Sequence, residues 1–172
     1  MTLYSSIFTR KSTRKFTDQP LSEEALADIN SFIQTIPPLV PDAEITYKIV
    51  GPEEVKGMGI PKAPHYFLIY GKEQFLRNTC AGFLFQHVDL YLFSKGYASR
   101  WLGMLKPKEA DPNFIIGIAF GYPEKEEKRT LTDFDRKPLK EISEGTDSRL
   151  DAVRLAPSGL NGQPWYIIAK PG

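Results

Sequence analysis

An α+β fold is the class that this chain of 172 residues predicts, and three observations favour it. Apolar residues recur at helical spacing over residues 22–36. Residues 81–95 are apolar around most of the circumference of a helix, which is typical of a helix buried on most sides. Runs of β-branched and aromatic residues at 45–50, 65–70 and 114–120 predict strands. We therefore expect helices and strands to pack around one core.

The composition limits both architecture and function. With 41% hydrophobic residues, the chain can bury a core as one domain, or as one domain with an appendage. The 22 basic residues balance 21 acidic ones, so no general attraction to nucleic acid or to a membrane follows. The single cysteine, Cys80, excludes an internal disulfide framework. The sequence shows neither a membrane-length apolar run nor a signal-peptide core, and a cytoplasmic location is the expectation.

The N-terminal segment carries a concentrated positive charge. Arg10, Lys11, Arg14 and Lys15 stand close together with two hydroxyl residues and no acid. A solvated basic turn is the ordinary interpretation of such a run. The alternative is a phosphate site, because arginine offers a planar fork for phosphate oxygens and a hydroxyl adds a neutral donor. The alternation Arg10-x-Ser12-x-Arg14 would place three donors on one side of an extended segment.

Capping and breaking residues set the bounds of the next elements. Ser22 is the expected N-cap of the first long helix, and Pro37 ends it. The central helix should end at Gly96. Residues 98–103 are then expected to continue as a loop, before the strand at 114–120.

The predicted strands and the central helix contain three titratable side chains at potential sites: His65, His87 and Asp89. His65 is expected at a strand edge, because no second His, Cys or carboxylate stands at metal-ligand spacing. His87 and Asp89 are expected at the rim of the central helix and not as a catalytic pair. The sequence therefore offers neither a catalytic triad nor a metal cluster.

The loop with the most distinctive sequence lies near the C-terminus. Residues 156–165 connect a short helical pattern at 150–155 to an apolar strand at 165–169. Two glycines allow the backbone to approach a flat ligand closely, and Ser158, Asn161 and Gln163 supply short polar groups. An ordinary Pro/Gly/Asn connection is the alternative interpretation.

The chain begins to repeat itself beyond a charged linker at 124–129. The pattern F-x-x-x-P-L occurs at 16–21 and again at 134–139. A helical pattern, a proline and an apolar strand follow each copy. This spacing predicts a duplication, with a first copy at residues 1–125 and a partial second copy at residues 126–172.

The whole chain resembles the nitroreductase family of flavoproteins. The R-x-S-x-R-x-F opening at 10–16 is similar to the N-terminal signature of that family. Residues 82–103 and 118–123 resemble its central helix, flavin-side loop and closing strand. The P-S-x-x-N-x-Q-P-W sequence at 157–165 resembles its most specific motif. The resemblance implies a nitroreductase-like fold, in which helices flank a central, mostly antiparallel sheet around a buried central helix.

The order of the motifs differs from that of typical members. In those proteins the proline-serine loop follows the N-terminal helix, and two subunits share each flavin. Here the loop occurs only in the second copy, as in relatives that carry both halves on one chain. The resemblance therefore implies one shared flavin site per chain. The incomplete second copy leaves self-association possible.

The resemblance implies FMN as the cofactor and assigns residues to it. Arg10 and Ser12 would lie near the phosphate, and Arg14 near the N1/O2 edge of the flavin. Lys128 and Arg129 would supply further phosphate contacts.

The flavin ring would be held by two loops, one from each copy. The turn at Gly103 and Met104 would offer a backbone N–H to N5. The ring would be covered from the second copy by Pro157, Ser158, Gly159 and Asn161. No catalytic side chain is expected, because such a cofactor carries the redox chemistry itself.

The implied function is that of an FMN-dependent oxidoreductase with ping-pong hydride transfer. NAD(P)H would donate the hydride, and an electron-poor acceptor such as a nitroaromatic or a quinone would receive it. A non-catalytic flavin- or ligand-binding protein with the same fold is the alternative. A nucleic-acid role for the basic segment is a more distant third.

Overall fold

The computed structural model describes residues 1–126 and 128–170. Glu127 of the predicted linker and residues 171–172 of the predicted second copy lie outside the described residues. The α-helices in the described part are α1 (Leu3–Ile7), α2 (Glu23–Thr35), α3 (Arg77–Ser94), α4 (Leu139–Ile142) and α5 (Leu150–Arg154). The strands are β1 (Ile45–Val50), β2 (Val55–Lys56), β3 (His65–Gly71), β4 (Ala98–Leu102), β5 (Lys106–Pro107), β6 (Phe114–Gly121), β7 (Ser143–Glu144) and β8 (Ile167–Ile168). Short 3₁₀ helices lie at Pro52–Glu54, Leu131–Asp133 and Gly159–Asn161.

A four-stranded antiparallel sheet forms the centre of the molecule, in the order β1-β3-β6-β4. The strands β2 and β5 form a small antiparallel pair, and β7 and β8 form a small parallel pair. The helices α2 and α3 pack against one face of the central sheet. This arrangement confirms the predicted α+β class and the mostly antiparallel central sheet.

The strand β3 is buried on both faces. Phe67 and Ile69 point into the core shared with α2 and α3, whereas Tyr66 and Leu68 point into a second core on the opposite face. Such a strand gains apolar burial at every position, so its sequence does not alternate with polar residues. The continuous apolar run at 65–70 is explained in this way.

Small residues of β6 make room for the second core. A Cβ atom on Gly117 would lie 2.7 Å from Cδ2 of the fully buried Leu105. A Cβ atom on Gly121 would lie 2.7 Å from Cγ of Pro64. Both glycines are therefore required by close packing and not by an unusual backbone angle.

The predicted N-cap of α2 is confirmed. The Ser22 hydroxyl accepts a hydrogen bond from the backbone N–H of Ala25 at 3.2 Å. Glu23 and Glu24 occupy the first turn, where negative charge stabilises the helix. The side chains of Ile29 and Ile33 are buried one turn apart, which fixes this helix on the sheet.

The central helix α3 begins earlier than the sequence predicts, at Arg77. Leu76 precedes it with φ 61°, and the Arg77 guanidinium donates to the Gly71 carbonyl. At the other end Gly96 adopts φ 86°. The N–H groups that follow the helix bond back to its last turn, from Gly96 to Phe93 and from residue 97 to residue 92. The predicted stop at Gly96 is confirmed.

Two boundary predictions near the site are wrong. Residues 98–102 form the edge strand β4, paired with β6, and not a loop. Polar Ser99 and Arg100 interrupt the apolar pattern that would have identified this strand. The strand predicted at 165–169 is only Ile167–Ile168, because its pairing with β7 extends over two residues.

His65 opens β3, and its ring is part of the fold. Its Nε2 atom accepts a hydrogen bond from the backbone N–H of Leu21 at 2.9 Å, and the ring stacks on Phe120. Burial lowers the pKa of His65 below its ordinary value of 6.5. The neutral ring is required, because a protonated Nε2 cannot accept this hydrogen bond.

We expect the free energy of unfolding to fall as the pH is lowered from about 7 to about 5. In this range the unfolded chain protonates His65 more readily than the folded chain does, so protons favour unfolding. Urea unfolding at several pH values would measure the slope. The variant His65→Gln should show a flatter dependence, since His87 is present in both proteins. Equal slopes for the two proteins would contradict this role.

The described residues were also compared with the requirements of a membrane span and of a metal site. No helix within them has both the length and the apolar character that a membrane crossing requires. No group of three or more His, Cys, Asp or Glu side chains in the same residues is arranged to hold a metal ion.

Candidate cofactor site

The N-terminal basic segment is fastened to the edge of the sheet. The backbone N–H of Thr13 donates to the carbonyl of Ser99 at 3.1 Å, and that of Thr17 donates to Tyr122 at 2.9 Å. Between them Phe16 forms an isolated bridge with Pro123. The segment therefore runs beside β4 and the end of β6, and the sheet fixes its position.

This attachment creates a strongly cationic cavity of about 560 Å³, which we call the basic cavity. Its volume is typical of small-molecule and cofactor sites. Six cationic side chains contribute to its lining and Glu124 is the one carboxylate among the described lining residues. The full lining consists of Lys11, Ser12, Thr13, Arg14, Lys15, Arg100, Glu124, Lys125 and Arg129. Such a surface attracts an anionic ligand.

Two arginines reach the basic cavity from outside the N-terminal segment. Arg100 comes from β4, and its sequence surroundings gave no signal for a site, because these residues were predicted to form a loop. Arg129 is positioned by its backbone N–H, which donates to the carbonyl of Thr9 at 2.9 Å. Its guanidinium lies 5.0 Å from the ring centroid of Phe134.

The interpretation of Asp89 as a rim residue is wrong. Asp89 is fully buried, and its Oδ2 atom lies 2.5 Å from Nε of Arg10. The contact is ionic, since this N–H is not aligned for a hydrogen bond. Ser99 donates its hydroxyl proton to the other carboxylate oxygen, and Gln86 donates to Oδ2 at 3.2 Å. A buried charge requires such partners, so Asp89 orients Arg10. His87, in contrast, is half-buried, as expected for the rim.

Arg10 lines a second, smaller cavity of about 100 Å³ together with Arg129 and Arg136, which we call the arginine cavity. Pro157 of the C-terminal loop also lines it. Arg136 donates to Oδ1 of Asn161 at 2.6 Å and to the carbonyl of Leu155 at 3.3 Å. Burial is the main cause of the lowered pKa of Arg136, and the nearby charge of Arg129 adds to it.

The loop at 157–165 is held in an unusual conformation by its own polar groups. Leu160, Asn161 and Gln163 all have positive φ, at 51°, 56° and 47°. The Ser158 hydroxyl accepts from the N–H of Gln163 at 3.0 Å, and the Gln163 side chain accepts from the N–H of Lys137 at 2.8 Å. These bonds offset the backbone strain, and they use groups that the sequence suggested for a ligand.

The structure brings some of the predicted site residues together and separates others. Ser12, Arg14 and Arg129 share the basic cavity, whereas Arg10, Arg129 and Pro157 share the arginine cavity. The alternation at 10–14 therefore does not place Arg10 beside Ser12 and Arg14 in one cavity.

The remaining predicted residues lie in neither cavity. The Lys128 ammonium lies 2.5 Å from Glu126 and lines a different depression. Gly103 and Met104 form an exposed turn after β4, and a Cβ atom on Gly103 would meet nothing within 4 Å. Three residues of the C-terminal loop face neither cavity: Ser158, Gly159 and Asn161.

Comparison with solved structures shows the same fold in several bacterial proteins. A putative nitroreductase from Thermotoga maritima MSB8 is 23% identical, with a TM-score of 0.75 over 100% of this chain and 73% of that one. A putative nitroreductase from Desulfovibrio desulfuricans, solved in complex with FMN, is 18% identical with a TM-score of 0.62, over 82% and 94% of the chains.

A third structure is that of a putative NADH dehydrogenase/NAD(P)H nitroreductase from Bacteroides thetaiotaomicron VPI-5482. It is 19% identical with a TM-score of 0.59, over 81% of this chain and 95% of that one. These likenesses establish the fold.

The family comparison covers nearly the whole chain. No match was found among curated proteins. The sequence model of one family matches residues 2–171. The chain therefore belongs to the family described as "Putative TM nitroreductase".

Proposed function

We propose that this protein is an FMN-dependent oxidoreductase that transfers a hydride from NAD(P)H to an electron-poor acceptor such as a nitroaromatic or a quinone. The observation that carries the proposal is the basic cavity, in which Ser12, Arg14 and Arg129 lie together. Family membership supports an oxidoreductase. The FMN complex of the Desulfovibrio neighbour supports this cofactor.

The donors of the basic cavity suit a phosphate monoester. Arg129 and Arg100 offer guanidinium groups and Ser12 offers a neutral hydroxyl, which is a favourable set for phosphate oxygens. Arg14 would then be the cation beside the flavin ring. The open space above Gly103 would allow the ring to approach the backbone of the turn.

FMN, when bound, would accept a hydride and later release it to a second substrate. The residues of this chain would bind and orient it. The guanidinium of Arg14 would favour the reduced form, because a fixed positive charge stabilises negative charge that develops nearby. Ser12 and Arg129, which the sequence analysis assigns to different predicted copies, line one cavity, and this supports our further proposal of one flavin per chain.

The absorbance spectrum of the purified protein tests the cofactor, and NAD(P)H tests the activity. A flavin spectrum that bleaches with NADH or NADPH and recovers on addition of a quinone supports the oxidoreductase. A flavin spectrum that neither nucleotide bleaches would favour the alternative, a non-catalytic flavin-binding protein. A protein that binds no FMN would contradict both.

The charge of Arg14 gives a separate prediction. We expect Arg14→Ala to lower the reduction potential of bound flavin more than it weakens FMN binding, because the cation favours the reduced state. A redox titration of each holoprotein would measure the potential. Arg149→Ala is the matched control, since Arg149 is an exposed arginine that pairs with Asp147 and lines neither cavity. An unchanged potential in Arg14→Ala, with FMN still bound, would exclude this role.

A further inference from the structure

The basic cavity carries more positive charge than one phosphate group requires. Its lining includes six cationic side chains and, among the described residues, the single carboxylate of Glu124. A phosphate monoester carries about two negative charges at neutral pH. Ser12, Arg100 and Arg129 already suit the phosphate of FMN. The surplus of cations therefore suits a second anionic group.

Most of this charge is not neutralised by the protein itself. Within the described part of the chain, four cations of the cavity form no ion pair: Arg14, Lys15, Arg100 and Lys125. Elsewhere on the surface, the ammonium groups of Lys62, Lys72 and Lys95 each lie 2.9 Å from a carboxylate oxygen. Unpaired like charges repel each other, and a bound anion reduces this repulsion.

Two of the unpaired cations are held next to each other by the backbone. The N–H of Glu124 donates to the carbonyl of Lys15 at 3.3 Å. The adjacent residues, Phe16 and Pro123, form the isolated antiparallel bridge. Lys15 therefore lies beside the segment that carries Lys125. Both lysines are exposed, so their ammonium groups are accessible to a substrate that arrives from solvent.

The size of the cavity permits two anionic groups. Its volume of about 560 Å³ is that of a site for a whole small molecule, and a single phosphate group fills only part of it. The chain as a whole is nearly neutral, with 22 basic and 21 acidic residues. The attraction is therefore a local property of this cavity and does not come from the net charge.

We propose that the basic cavity selects NADPH over NADH, with Lys15 and Lys125 binding the 2′-phosphate of the dinucleotide. This inference rests on the proposed function and specifies its hydride donor. The two nucleotides differ only by that phosphate, which basic side chains recognise in other nucleotide sites. Because the nicotinamide is the same in both, the preference should appear in KM and not in kcat.

Steady-state kinetics of the FMN-saturated protein test the proposal, with each nucleotide, a quinone acceptor and constant ionic strength. We expect kcat/KM for NADPH to exceed that for NADH by roughly tenfold or more, the effect of a charge-assisted contact. The double variant Lys15→Gln with Lys125→Gln should remove most of this preference by raising KM for NADPH, and should retain FMN. The matched control is Lys62→Gln with Lys72→Gln, which removes two exposed ammonium groups outside the cavity.

Calorimetric titration gives a readout that does not depend on hydride transfer. Adenosine 2′,5′-bisphosphate should bind the FMN-saturated protein more tightly than adenosine 5′-monophosphate does. This difference should disappear in the double variant of Lys15 and Lys125. Added sodium chloride should also reduce it, because salt screens exposed charges.

The outcomes separate this inference from the proposed function. Equal kcat/KM for the two nucleotides, or an unchanged preference in the double lysine variant, would overturn the inference and leave the oxidoreductase intact. Loss of FMN from the double variant would assign the two lysines to the cofactor and would also overturn it. A flavin that neither nucleotide bleaches would refute the proposed function, and this inference with it.

Discussion

Replacement of Asp89 by asparagine is expected to lower the free energy of unfolding by about 3–5 kcal/mol, the cost of removing one partner of a buried ion pair. Asp89 is fully buried, and Arg10 beside it is 8% exposed. Asparagine has nearly the same shape, so the change removes charge without leaving a cavity. The Arg10 guanidinium would then remain buried without its counter-ion. Urea unfolding followed by circular dichroism would measure the loss.

An exposed ion pair of this chain provides the matched control. Lys72 and Glu44 are 2.9 Å apart, with both side chains largely exposed. Glu44→Gln makes the same chemical change as Asp89→Asn and should leave the free energy of unfolding nearly unchanged, because an exposed ion pair contributes little. A double variant, Arg10→Met with Asp89→Leu, should recover part of the stability, because no unpaired charge remains. A loss below ~1 kcal/mol in Asp89→Asn would contradict the structural role of this pair.

Whether a residue's role could be predicted from the sequence depends on how far along the chain its partners lie. Ser22 and Gly96 were predicted correctly, because caps depend on residues within one helical turn. Asp89 was misinterpreted because its partners, Arg10 and Ser99, come from other elements. Arg136 had no signal of its own. Its hydrogen-bond partner Asn161 lies 25 residues further along the chain.

The partners of the polar groups in the loop at 157–165 could not be predicted from the sequence either. Its polar residues were predicted to face a ligand. In the structure Ser158 and Gln163 hold the loop itself, and Asn161 holds Arg136. Residue type and spacing identify a loop with a defined conformation. They do not show whether its polar groups bond to each other or to a ligand. Only the partner atoms do so.

Arg129 and Lys128 give the sharpest test of the flavin site, because they are adjacent in sequence and were both predicted to contact phosphate. Arg129 lines the basic cavity with Ser12 and Arg14, whereas Lys128 pairs with Glu126 and lines a different depression. We expect Arg129→Ala to weaken FMN binding by about 1.5–3 kcal/mol, or roughly 10- to 150-fold in Kd. Lys128→Ala should change Kd by less than about threefold, because an exposed ion pair contributes little.

Riboflavin, which lacks the phosphate, separates the two parts of the cofactor. If Arg129 binds the phosphate, Arg129→Ala should leave the affinity for riboflavin nearly unchanged. Fluorescence titration with both flavins would measure this difference. The melting temperature of each variant must be compared as well, because Arg129 also packs over Phe134 at 5.0 Å. Equal losses for FMN and riboflavin, or a larger loss in Lys128→Ala than in Arg129→Ala, would show that the phosphate does not lie in the basic cavity.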